Sequence, residues 1–210
     1  DESFVDIMDL SCQSGFFDFN LTGQIPKTFT SLVEMMNGKS EAELEGFFNL
    51  DMPKAFGRLP EESKNQNFDL ESGKIAGRIS TESLGEGKIL LANLNMVDFE
   101  GIAGGKNLTL SPVKLNCEII SRNQRLWIDP IEIVSGFGKI SCSGPYNDMT
   151  FNGTINLKDL QNELSGFVEF GEYKLSGEAN IIGDVLPENK ILNGAVQVKD
   201  FVLDNRSEER

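Results

Sequence analysis

The sequence predicts a mainly β protein: a curved antiparallel meander sheet folded over on its apolar face, groove-like or taco-like, with two short helices in the N-terminal third. Three observations carry this. From Ile75 to Val202 apolar and polar residues alternate with period 2, as in Leu108-Thr109-Leu110 and Leu126-Trp127-Ile128, the pattern of strands that bury one face. An apolar-x-Gly-x-apolar phrase recurs along the chain, its glycine in phase with the apolar face. Only two segments show helical spacing.

Taken in chain order, the phrase first appears as Leu21-Thr22-Gly23-Gln24-Ile25. The first helix follows, over Pro26 to Asn37, with Pro26 at its start, Phe29, Leu32, Val33 and Met36 at 3.6-like spacing, and Gly38 as the stop. Gly38-Lys39-Ser40 looks like the end of a phosphate loop but lacks the earlier glycine, Val33 standing there, so it reads as a helix stop. Leu44-Glu45-Gly46-Phe47-Phe48 returns to strand. Asp51 to Leu59 reads as the second helix, with Asp51 as N-cap, Pro53 in the first turn, and Phe56 and Leu59 as its apolar edge. Glu61 to Gln66 is a polar linker, so a sub-boundary falls near 60–68 within what otherwise reads as one module over 1–210.

Beyond it come Ile75-Ala76-Gly77-Arg78-Ile79, Phe151-Asn152-Gly153-Thr154-Ile155, Leu175-Ser176-Gly177-Glu178-Ala179 and Leu192-Asn193-Gly194-Ala195-Val196. Several phrases extend the frame to a further apolar residue, Leu50, Leu157, Ile181 or Val198, with Asn49, Asn156, Asn180 or Gln197 on the other face. Glycine inside a strand marks a bend or a close approach to that face, so the sheet is expected to curve toward its apolar side. The intervals are irregular, which excludes a fixed-period solenoid. Turns are expected at Gly104-Gly105, Arg122-Asn123, Asp129-Pro130, Gly144 to Asp148, and Pro187-Glu188-Asn189.

Composition narrows function. The net charge of −14 and a pI near 4.4 repel phosphate backbones, so nucleic acid is not an expected partner. The chain has no histidine, which removes Ser-His-Asp and Cys-His nucleophile pairs and imidazole metal sites. No spacing among the 33 acidic residues singles out an acid and a base, and no loop follows the calcium pattern. No enzyme, cofactor or metal is therefore expected. Cys12, Cys117 and Cys142 allow at most one disulfide, with Cys117 and Cys142 on nearby strands; the other reading is three small buried hydrophobes. Apolar runs such as Ile89 to Ala92 are far below the ~18 residues of a membrane span. Sequons at Asn20, Asn107, Asn152 and Asn205 matter only in a eukaryotic secreted context. The start at Asp1 without Met reads as a processed or excised piece.

The long one-face-apolar meander with short helices between strands, and phrases such as Phe151 to Leu160, Leu126 to Ile133 and Gly136 to Gly144, resemble the AsmA-like and TamB-like proteins of bacterial envelopes. The resemblance covers Leu108 to Val202 and, more loosely, Leu44 to Ile79. It implies a sheet rolled into an open trough that holds or conducts lipid acyl chains, in the periplasm or cell envelope, in proteins of outer-membrane biogenesis. The family's N-terminal membrane helix is absent here, so contact with a membrane is expected only through segments outside this chain. Independently of any family, a sheet with one apolar face must fold over, pack a helix on that face or bind an apolar ligand. The expected groove residues are Phe48, Leu50, Phe151, Ile155, Leu157, Leu175, Ile181, Leu192, Val196 and Val198, sharing one concave face. The alternative is a structural or adhesive β module, extracellular or in the envelope, whose apolar face is an ordinary closed core without a small-molecule ligand.

Overall fold

The computed structural model describes residues 3–39, 41–60, 68–85, 87–122, 125–165, 168–187 and 191–205. The expected linker at Glu61 to Gln66 lies outside them, as do Asn123, Glu188, Asn189 and Ser207. Twelve strands follow one another in a single antiparallel sheet: β1 (Phe4–Gln13), β2 (Phe17–Pro26), β3 (Leu44–Asp51), β4 (Phe68–Leu84), β5 (Gly87–Ala103), β6 (Lys106–Leu110), β7 (Val113–Arg122), β8 (Arg125–Ser135), β9 (Gly138–Pro145), β10 (Met149–Asn156), β11 (Tyr173–Leu186) and β12 (Ile191–Asn205). Eleven stand side by side in chain order, and β6 pairs with the end of β5 off that path. Among the described residues the sheet does not close, and β1 and β12 are its two edges.

The helices sit in the connections. α1 (Phe29–Met36) follows β2, α2 (Met52–Gly57) follows β3, and α3 (Leu157–Leu164) follows β10. Pro26 closes β2 instead of opening α1. Thr28 is the N-cap: its hydroxyl accepts from the Ser31 N–H at 3.1 Å while the Ser31 hydroxyl accepts from the Thr28 N–H at 3.0 Å, satisfying two of the free donors at the helix start. Gly38 ends the turn at φ 69, a conformation glycine adopts without a Cβ penalty. Asp51 caps α2 as expected, accepting from the Lys54 N–H at 3.2 Å.

The third helix corrects the expectation that the Phe151 phrase stays in strand through Leu157. Strand β10 stops at Asn156, whose side chain accepts from the Asp159 N–H at 3.0 Å and starts α3. Leu157 is thus the first helical residue and leaves the apolar row. α3 then takes the place of β10 beside the start of β11. The Gln161 carboxamide donates to the Tyr173 carbonyl at 2.7 Å and accepts from the Leu175 N–H at 2.7 Å, so one side chain stands in for the missing ladder.

One packed core cluster sits around α1, and Leu70, Phe99 and Leu108 are buried at the opposite end of the sheet, where the start of β4, the end of β5 and β6 pair. Met35 and Met36 are 0 % exposed and cluster with Phe4, Ala42 and Leu126, against Leu32, Val33, Leu90 and Ile119. Phe4 lies on the first strand of the path and Leu126 on the seventh. Six strand spacings would put them about 29 Å apart in a flat sheet, yet one helix about 10–12 Å across packs against both. The sheet therefore curls around α1. Leu90 and Ile119 are register partners on the apolar face, so that face is the concave one.

Candidate functional site

Antiparallel register places directly opposed residues on one face, which allows a face to be followed across the sheet. One row runs Leu10, Leu21, Gly46, Ile79, Ala92, Cys117, Ile131, Cys142, Phe151, Gly183, Gly194, each residue the partner of the next. The next row runs Cys12, Phe19, Phe48, Gly77, Leu94, Leu115, Ile133, Ile140, Gly153, Ile181, Val196. Both rows cross all eleven strands of the path without a charged, amide or hydroxyl side chain. The intervening row on the opposite face reads Asn20, Phe47, Arg78, Asn93, Asn116, Glu132, Ser141, Asn152. That outer face also carries exposed ion pairs, Arg78–Glu45 at 2.8 Å and Lys139–Glu132 at 2.6 Å, of the solvated kind that adds little stability.

Several glycines on this face meet a bulky side chain that lies across them, whereas Gly23 and Gly177, both at positive φ, meet only backbone. A Cβ at Gly77 would stand 2.4 Å from Phe48 Cε1, one at Gly46 2.7 Å from Leu21 Cδ1, one at Gly153 2.9 Å from Ile140 Cγ1, and one at Gly183 2.5 Å from Phe151 Cζ. Large apolar groups lie flat on bare backbone, which lets the concave side be greasy and still shallow. Between them, near Gly46 and Gly77, an entirely apolar pocket of about 270 Å³ is lined by Phe19, Leu21, Phe48, Ile79, Leu94 and Leu115 among others.

Of the ten expected groove residues, the register places Phe48, Leu50, Phe151, Ile155, Ile181, Leu192, Val196 and Val198 on this face. Leu175 pairs with Leu203 beyond a bulge between Ser176 and Glu178, where Asp200 has φ 51. Leu157 is in α3. Asn49, Asn180 and Gln197 take the opposite face as expected, and Asn156 caps a helix. Exposure along the row is uneven: Phe48, Leu50, Phe151, Ile155 and Ile181 are half-buried, whereas Leu192 is 71 % and Val196 64 % exposed at the β12 edge. Phe19, Leu21, Ile79, Leu94 and Leu115 were not among the expected residues. Their signal is the large residue that register sets opposite or beside each glycine, which needs the strand pairing to be seen.

Cys117 and Cys142 lie on this face, on either side of Ile131. Two strand spacings separate them by about 9–10 Å, beyond the ~7 Å that a disulfide spans, and both are free thiols. Burial pushes both thiol pKa values up. Cys12, on the exposed edge strand, is exposed and not a buried hydrophobe. Among the described residues no group of three or more Cys, Asp or Glu is placed to hold a metal ion, and no helix is long and apolar enough to cross a membrane. No family model matches the chain, and no curated protein or solved structure matches it.

Proposed function

We propose that this chain is a non-catalytic lipid-handling module of a cell envelope, whose concave apolar face binds lipid acyl chains or helps conduct them between membranes. The observation that carries this reading is the pair of apolar rows crossing eleven strands; α1 packs on the flanking pair Leu90 and Ile119, and the large side chains of the rows themselves are half-buried to exposed. An apolar face of this extent needs an apolar partner, and a flexible acyl chain fits a long shallow trough better than a rigid ligand does. The AsmA-like resemblance of Leu108 to Val202 points the same way and supports the periplasm or envelope as location. The competing structural or adhesive reading draws on the packed cluster around Met35 and Met36 and on buried Leu70, Phe99 and Leu108, but between these ends Leu94, Leu115 and Phe48 are only half-buried.

Ile155 tests the reading. Its register partners are Ala179 and Gly138, and its own side chain is only half-buried. Ile155→Asp is expected to abolish uptake of a fluorescent fatty acid while the thermal melt stays cooperative. A protein that unfolds buries an unpaired charge there, and one that remains folded and still binds the probe does not use this face; either result overturns the groove reading at this position.

A further inference from the structure

We propose that the trough is blind: α1 stops it, and a phospholipid enters from the α3 end with its tail toward Met35 and Met36 and a zwitterionic headgroup held beside α3. This rests on the lipid reading above and selects holding over conduction. α1 reaches from wall to wall, in contact with β2, β5, β7 and β8, and its first residue, Phe29, sets its ring 4.9 Å from that of Tyr146 in the turn after β9. Met35 and Met36 leave no exposed surface, and a Cβ at Gly87 would stand 2.8 Å from the Met36 carbonyl oxygen, so the helix rests directly on β5. The Asn37 side chain meets the Ser121 hydroxyl, and the Lys88 ammonium donates to the Ala42 carbonyl, pinning the exit of α1 to β7 and β5. An acyl chain has no passage beneath it.

The apolar pocket begins immediately beyond. Leu90 packs under α1, while Ala92 and Leu94, the next two residues on the same face of β5, line the pocket. The opposite end is wide and charged. A cavity of about 1230 Å³ there is lined by Leu175 together with Lys106, Lys158 and Lys174 and with Glu169, Glu172 and Asp204. Among the described residues none of these six charges is ion-paired with another. Lys174 and Asp204 stand opposite one another in the β11–β12 register, so cations and anions alternate around the opening and offer partners of both signs to a headgroup that carries a phosphate and an ammonium. A purely anionic headgroup would meet three carboxylates in a chain of net charge −14.

Photolabelling with lysophosphatidylcholine tests the polarity on the intact chain. A diazirine on the terminal tail carbon is expected to label the segment 29–36 and its neighbours Leu90 and Ile119, and a diazirine beside the headgroup to label 158–165 and 168–176. Met36→Ala, if folded, is expected to move the preferred tail length up by roughly two methylenes, the volume that truncation frees. Reversed labelling, or terminal-carbon labelling spread evenly along the trough, overturns the blind trough while leaving lipid binding intact. Failure of every probe to bind overturns the lipid reading and this inference with it.

Discussion

Gly77→Ala separates a trough from a closed core by energy. The added Cβ would stand 2.4 Å from Phe48 Cε1 and 2.9 Å from Cζ, whereas carbon atoms rest about 3.5–4.0 Å apart. The ring must therefore move by about 1 Å or more. In a packed core such a move costs about 1–3 kcal/mol or more because every neighbour resists. Here the ring borders an open apolar pocket of about 270 Å³ and swings into it, so the cost falls near the low end, about 1 kcal/mol. Alanine also recovers about 0.5–1 kcal/mol relative to glycine within a strand. The net change expected in a urea unfolding curve is below about 1 kcal/mol, together with a clear loss of fatty-acid affinity as the ring fills the pocket. Destabilisation above about 3 kcal/mol would refute the open-trough reasoning, and so would unchanged affinity in a variant of unchanged stability.

Other consequences follow from where burial is concentrated. Met36→Ala is expected to cost about 2–5 kcal/mol, as for a fully buried large-to-small change, while Leu192→Ala, at a residue 71 % exposed, is expected to stay within about 0.5 kcal/mol; paired denaturant titrations check both. Burial raises the thiol pKa of Cys117 and Cys142, so the native state holds those protons more tightly than the unfolded chain does. The stability this contributes is present below the ordinary thiol range, about pH 8.5, and is lost as the pH rises through the folded values. A melting temperature that falls between pH 8 and 10, and falls less in a Cys117→Ser, Cys142→Ser variant, is the expected result; iodoacetamide is expected to label exposed Cys12 first.

Much of the architecture was legible because strand alternation is a local signal. Eight of the ten expected groove residues, Phe48, Leu50, Phe151, Ile155, Ile181, Leu192, Val196 and Val198, fell on one face since period 2 and hairpin register preserve parity from strand to strand, whereas Leu157 passed into α3 and Leu175 lies beyond a bulge. α1 and α2 were legible from Met36 and Phe56 spacing and from Asp51 as a cap. α3 was not, because Ile155-Asn156-Leu157 continues the alternation of β10; Asn156 followed by Asp159 was a capping signal, outweighed by the strand pattern before it. The pocket was illegible for a different reason: Phe19, Leu21, Ile79, Leu94 and Leu115 come together only through pairings of β2 with β3, β4 with β5 and β5 with β7, and the sequence states no pairing. The stopper was hidden likewise, since the spacing of α1 shows an apolar face but not that this face spans from β2 to β8.

Native mass spectrometry of the purified chain reads lipid on the proposed concave face without a label. Mass increments of acyl lipids are expected on the 23.2 kDa chain, removed by organic extraction and regained when the stripped protein is incubated with phospholipid. A folded chain that carries no lipid after purification and takes up none on incubation would contradict the lipid reading.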